Sequence, residues 1–317
     1  MARQAATPES PPKRPQQAPP QSPQERPPTP QPPWREAAPK NVFTFKLIDV
    51  VPVAKETHLA AINDAGDIIG TYRITDRLQN FLYFANGRLM NIEPPQPNTD
   101  ITMTGLNNKG EIVGALGLSQ AGRHGGFFRG FVRRANETFE FFDCFGSSYT
   151  RASAINDRGQ IVGNALDPTG VPKAFIREPN GECLSLEYPG GFTALPAGIT
   201  NEGEIIGIWT DPKFGERGFL RRKDKTFVSI QPDPNTYAHL KGINAHGTIV
   251  GYTSIGGFLR KSDGTLLPLD HPQCAGSNCT FPMGVNKGGD IVGRFQVGSN
   301  VYGFRATEAK RQKPALE

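Results

Sequence analysis

The chain has no continuous apolar run approaching the roughly 18 residues of a membrane span. Its first residues, Met1-Ala2-Arg3-Gln4-Ala5-Ala6-Thr7-Pro8, offer no apolar core for a signal peptide. The expectation is a chain without a transmembrane segment and with no visible export signal. Cysteine is scarce, four in 317 residues, too few for a disulfide scaffold. Cys274 and Cys279 share a turn-rich loop that could bring their α-carbons into bonding range, and the spacing leaves both a disulfide and two free thiols open. Cys144 and Cys183 fall at opposite ends of different expected strands and are expected to be unpaired. Also missing are a GxSxG elbow, a locally supported Cys–His dyad, a His-x-His or HExxH pair and a phosphate-binding glycine loop.

A basic stripe is absent as well. The formal charge is +5. Residues 1–40 hold six basic and three acidic side chains and residues 306–317 hold three and two, which leaves 41–305 close to neutral. The basic excess sits in tails, so nucleic acid is not an expected partner.

What the chain does have is a repeat. Ala61-Ile62-Asn63-Asp64-Ala65-Gly66-Asp67-Ile68-Ile69-Gly70 returns at 105–114, 154–163, 198–207, 242–251 and 284–293. A period of about 44 residues is that of a propeller blade. Each repeat reads as four short strands: small-Ile-Asn (A), Ile-Val-Gly (B), Gly-Phe-Leu-Arg (C) and an alternating apolar strand (D). Asn-x-x-Gly between A and B supplies a hairpin turn, and the glycine within strand B implies a close backbone approach. The sixth repeat lacks strand D. Phe45-Lys46-Leu47-Ile48-Asp49 matches Phe139-Glu140-Phe141-Phe142-Asp143 and supplies it from the N-terminal side. The expected architecture is an all-β, six-bladed propeller of four-stranded blades over 41–306, closed by an outer strand at about 43–49. The small residues opening strand A (Ala61, Gly105, Ala154, Gly198, Gly242, Gly284) suit the crowding at the axis.

Residues 1–40 carry thirteen of the 29 prolines and read as a disordered tail. Its PxxP spacings at 8–15 would suit a docking tail, but any proline-dense tract contains them by chance, so a semi-rigid spacer is the expectation. Residues 307–317 read as a short charged tail.

The recurring Ile-Asn-Asp-x-Gly-x-Ile-Val-Gly, followed by Gly-Phe-Leu and an Ile-Asp-x-Pro ending, resembles the bacterial HAF-type extracellular repeat proteins. The resemblance spans nearly all of 42–305 and implies a propeller and a life in the extracellular or periplasmic space. It implies no single activity. Thr200, where the other repeats have Asn, departs from the pattern.

Asp64, Asp67 and Asp157 in the A–B turns are too few per turn for calcium, which takes six to eight oxygens, and read as turn formers. The D–A and B–C connections share the opposite face, where a binding site is expected. His58 and His239 stand at equivalent positions, three residues before the small residue of strand A. Thr102, Arg151, Leu195 and Phe281 occupy that position elsewhere. Arg73, Arg151, Trp209 and Tyr237 complete the candidate set on that face, with His271 between the two histidines in angle. The long, glycine-rich B–C connection of the second repeat (116–129) is a candidate recognition loop. These residues point to a monomeric, non-catalytic binding protein for a protein, small-molecule or carbohydrate ligand, with no cofactor. The alternative is a metal-assisted hydrolase or lyase with Zn²⁺ on His58, His239 and His271.

Overall fold

The computed structural model describes residues 31–38, 42–97, 99–118, 127–190, 193–274 and 278–309. The PxxP segment, the tip of the second repeat's long connection and the end of the charged C-terminal tail lie outside the described residues. From Gln31 onward the chain forms one compact unit.

A short helix, α1 (Pro33–Glu36), precedes β1 (Phe43–Leu47). Four sets of strands follow: β2 (Glu56–Ile62), β3 (Ile68–Arg73), β4 (Leu78–Tyr83) and β5 (Leu89–Ile92); β6 (Thr99–Leu106), β7 (Ile112–Leu118), β8 (Phe127–Arg133) and β9 (Phe139–Phe142); β10 (Thr150–Ile155), β11 (Ile161–Leu166), β12 (Pro172–Arg177) and β13 (Cys183–Leu186); β14 (Ala194–Ile199), β15 (Ile205–Asp211), β16 (Gly215–Arg221) and β17 (Phe227–Ile230). The chain continues through β18 (Ala238–Ile243), β19 (Ile249–Thr253), β20 (Gly256–Arg260) and β21 (Leu266–Pro268), then β22 (Thr280–Val285), β23 (Ile291–Val297) and β24 (Asn300–Glu308). The last set has three strands of its own. β1 lies antiparallel on β24, with Phe45 opposite Ala306 and Leu47 opposite Phe304. The innermost strands touch in the cycle β2, β6, β10, β14, β18, β22 and back to β2. The fold is an all-β propeller.

Hydrogen bonding divides the strands differently from the six separate sheets expected. β6–β9, β10–β13, β14–β17 and β18–β21 are separate four-stranded sheets, whereas the first and last sets belong to one eight-stranded sheet. The join is a single parallel pairing of Glu56 with Val301, where β2 meets β24 edge to edge.

The repeat's residue types follow from this packing. The strand-C phenylalanines Phe81, Phe131, Phe175, Phe219, Phe258 and Phe304 are all buried. They stand where a strand-B side chain would go: a Cβ on Gly163 would lie 2.6 Å from Phe175 and 2.1 Å from the Arg151 carbonyl oxygen. The close approach expected at the strand-B glycine thus comes from strands A and C of its own repeat. The small residues of strand A crowd the next repeat, as when a Cβ on Gly242 would fall 2.9 Å from the Gly284 Cα.

The turn asparagines do more than turn the chain. Asn107 Oδ1 accepts the N–H groups of Lys109 (3.0 Å) and Glu111 (2.9 Å), fixing the hairpin. Its Nδ2 donates to the carbonyl of Asn156 in the next repeat at 3.2 Å. The same inter-repeat bond runs from Asn63 to Asn107, Asn156 to Thr200, Asn244 to Asn286 and Asn286 to Asn63. Thr200 has no amide to continue the series toward Asn244.

Three expectations change. Cys144 and Cys183 form a disulfide, with Cα atoms 5.7 Å apart. Sheet twist turns the outer strands, so the exit of β9 meets the start of β13 in one buried cluster. Cys274 and Cys279 are also bonded, Cα atoms 5.6 Å apart. The tail expected over 1–40 gives up its last part to the domain. Pro33 opens α1 where its missing N–H costs nothing. Trp34 packs against the cluster of Ile206, Leu240 and Phe258, and Arg35 pairs with Asp270. At the other end β24 runs on to Glu308, past the boundary expected at 306.

Candidate functional site

Every strand A carries a β-bulge at the same place. The register slips between Leu59 and Ala61, Met103 and Gly105, Ala152 and Ala154, Pro196 and Gly198, Leu240 and Gly242, and Pro282 and Gly284. A bulge leaves one residue out of the ladder and re-aims its side chain. The residues so released are Ala60, Thr104, Ser153, Ala197, Lys241 and Met283, and all six line a cavity of about 400 Å³ at the end of the channel where the strands A begin. Thr102, Leu195, Ile208 and Leu240 complete much of the wall. Lys241 is the one charged residue in that lining.

Next to the bulges, residues of strands A and B stand opposite one another in register: His58 with Thr71, Thr102 with Ala115, Arg151 with Asn164, Leu195 with Ile208, His239 with Tyr252 and Phe281 with Arg294. Three consecutive repeats make a polar and aromatic arc. His239 bonds the Tyr252 hydroxyl at 3.1 Å and the Glu216 carboxylate at 2.5 Å. Tyr252 meets Phe281 edge-on, centroids 5.2 Å apart, and the Arg294 guanidinium lies 5.2 Å from the Phe281 centroid. Beyond Arg294, His58 is 3.4 Å from Glu56, which accepts from Arg73 Nε at 3.1 Å.

The charges on this arc are unevenly matched. Glu56 is engaged by Arg73 and His58, and Glu216 by His239. Among the described residues, Lys241 and Arg294 have no carboxylate within bonding distance; each lies against an aromatic ring, Lys241 Nζ at 5.6 Å from Tyr252. Burial, and then the positive field of Arg294, hold the Lys241 ammonium below the usual lysine range. The same two causes hold His58 below the usual histidine value, partly opposed by Glu56. Burial pushes the Tyr252 phenol up.

The sequence-predicted residues divide accordingly. His58, His239 and Arg73 stand on the arc, with Tyr237 beside it, its ring 4.8 Å from that of His239. Arg151 stands apart on the rim, its guanidinium 4.3 Å from the Phe128 centroid. Trp209 is stacked on Tyr188 at 4.5 Å and packs into the core between two repeats. His271 does not join His58 and His239. It is buried and stacked on Phe295 at 3.6 Å, with Phe45 edge-on at 5.0 Å, in the outer part of the last sheet. Its Nδ1 accepts the Gln273 N–H, so its role there is packing. The three-histidine zinc site is therefore not assembled, and no group of three or more potential metal ligands occurs among the described residues. The A–B turns face the opposite end, where Asn108 Nδ2 bridges Asp64 and Asp157, both at 2.9 Å.

No protein-family model matches the chain, and no curated protein matches it by sequence. Solved structures do match. A streptogramin B lyase superimposes with a TM-score of 0.51 at 12% identity, over 84% of this chain and 98% of that one. An inactive virginiamycin B lyase from Staphylococcus aureus, solved with quinupristin, gives 0.52 at 12% identity over 84% and 100%. The β-propeller domain of the trilobed protease from Pyrococcus furiosus gives 0.50 at 10% identity over 81% and 97%. At such identities the likeness is one of fold. No helix among the described residues is long and apolar enough to cross a membrane.

Lys241 was missed by the sequence reading, which aligned the repeats three residues before the small residue of strand A. The signal lay one residue before it, in the series Ala60, Thr104, Ser153, Ala197, Lys241, Met283. It is one lysine among small or apolar residues, at the position the bulge turns toward the cavity.

Proposed function

We propose that this chain is a non-catalytic ligand-binding propeller that takes a small molecule at the mouth of its channel. The observation that carries this reading is the cavity of about 400 Å³ built from all six bulge residues, within the range of small-molecule sites. Its wall is mostly apolar, with a few polar groups (Thr102, Thr104, Ser153, Asn164 and Lys241) set among them, which is how such sites combine affinity with orientation. On this reading the eight-stranded sheet counts as two blades, six in all, with β1 completing the sixth. A place outside the cytoplasm and membership of the HAF-type repeat proteins belong to the same proposal, supported by the repeat motif and by two disulfides.

The test is titration with the neutral fluorescent dye N-phenylnaphthylamine. Saturable binding, lost when Ala197→Phe fills the cavity, is expected. Binding that Ala197→Phe leaves unchanged sinks the cavity as the site. Metal analysis separates the catalytic alternative: stoichiometric Zn²⁺ that disappears in a His58→Ala/His239→Ala variant overturns the non-catalytic reading.

A further inference from the structure

We infer that the ligand carries an anionic group, a carboxylate, sulfonate or phosphate on an apolar body, and that Lys241 and Arg294 hold that group at the edge of the cavity. This rests on the cavity reading above and adds the chemistry of its occupant.

The argument begins with what surrounds the two cations. Arg294 projects from β23 beside Phe281, and Lys241 leaves β18 at its bulge beside Tyr252. The two rings touch each other, so the cations flank one aromatic pair. Two like charges brought together with part of their hydration removed oppose each other, and an anion between them relieves that opposition. The nearby carboxylates supply it only in part: the charge of Glu216 offsets some of the effect of burial and of Arg294 on Lys241. Glu216 is held by His239 and Glu56 by Arg73 and His58. Surface arginines and lysines elsewhere in the molecule do find carboxylates, as Arg134 finds Glu111 and Glu140, and Lys261 finds Glu308. Other cations also face rings without a carboxylate, as Arg177 faces Phe142; the mouth differs in that one of its pair, Lys241, lines the cavity.

The geometry also says where the rest of the ligand goes. Lys241 lines the cavity itself, across the ring of inner strands from Thr104, whereas Arg294 stands on the rim. An anionic head between them places an attached apolar body into the cavity, against Met283, Ile208 and Leu195. A planar body can also lie on the Tyr252–Phe281 pair. Arginine suits the head because its fork meets two oxygens of a carboxylate or sulfonate at once, while lysine supplies a compact charge from below.

Two dyes of similar shape test the inference on the full chain: anilinonaphthalene sulfonate, which is anionic, and neutral N-phenylnaphthylamine. Lys241→Met and Arg294→Met should each weaken the anionic dye about tenfold, the usual scale for a hydrogen bond to a charged group. The neutral dye should change less than about twofold, and Arg294→Lys, which keeps the charge but loses the fork, should lose less of the anionic dye's affinity than Arg294→Met. Equal losses for both dyes, or an anionic dye unaffected by the Lys241→Met/Arg294→Met pair while Ala197→Phe still blocks it, overturn the anion inference alone. Both dyes binding fully in Ala197→Phe overturns the cavity reading and this inference together.

Discussion

The side-chain amide of Asn286 donates to the carbonyl oxygen of Asn63 at 3.2 Å, joining residues 223 positions apart. It closes a series of identical bonds that passes from repeat to repeat around the axis and fails once, at Thr200. Thr200 Oγ1 accepts the Glu204 N–H at 3.2 Å, reproducing the local turn, but a hydroxyl is too short to reach the next repeat. Thr200→Asn should complete the series and stabilise the fold by about 1 kcal/mol, the net value of one such bond. Urea denaturation measures it; an unchanged or lower midpoint would show that the bonds carry no net stability.

The Cys144–Cys183 bond closes a loop with a separation of 39 residues between two neighbouring sheets. In the chain-entropy account a loop of this length contributes about 4 kcal/mol. The Cys144→Ala/Cys183→Ala variant should lose about 2–4 kcal/mol, and reducing agent should lower the wild-type midpoint without affecting that of the variant through this bond. A variant as stable as wild type under oxidising conditions would refute the prediction.

Arg35 ties α1 to the domain. Its side chain is 7% exposed, and besides Asp270 it reaches the Gly257 carbonyl. Burial already pushes the Asp270 carboxyl up, so Arg35→Ala leaves a poorly solvated acid without its counter-charge. The expected cost is about 2 kcal/mol, below the roughly 3–5 of a fully buried pair because Asp270 keeps some solvent contact. Arg35→Met with Asp270→Leu should recover most of it. A recovery that does not occur points instead to the packing of Trp34.

His271 makes the last sheet sensitive to acid. Burial holds its ring below the ordinary histidine value of about 6.5, and protonation would also displace the Gln273 N–H from Nδ1. On acidification the unfolded chain takes up this proton first. The contribution is therefore intact above about 6.5 and declines as the pH falls through that value toward the lower folded one. His271→Asn, whose amide oxygen can accept the same N–H, should flatten the decline that sets in as the pH falls below about 6.5. Parallel profiles for the two proteins would assign the acid response elsewhere.

The repeat made the scaffold legible because each of its letters has a packing cause. Glycine in strand B faces a phenylalanine and a carbonyl, alanine or glycine opens strand A at the axis, and asparagine builds the turn. Even the pairing of β1 with β24 was visible, since Phe45 to Asp49 is a strand D out of place. What escaped depends on contacts between repeats or on irregular backbone. Cys144 and Cys183 meet only after the sheets twist. Trp34, the lone aromatic of the proline-rich tract, was masked by the composition around it. The bulge that turns Lys241 inward has no residue type of its own, so the alignment chose the more conspicuous His58 and His239, which flank the site. His271 was drawn into the same set by its place in the chain and sits instead in an aromatic stack.

The N–H of Ala309 donates to the carbonyl of Val42 at 2.7 Å, so the two ends of the paired strands lie side by side. A short peptide bridge there, with a cut in any exposed connection between repeats, should give a permuted chain of the same shape. Covalent order and spatial order are separable in this molecule: as an object in space it is a loop of repeats, and the backbone merely picks one seam at which to be linear.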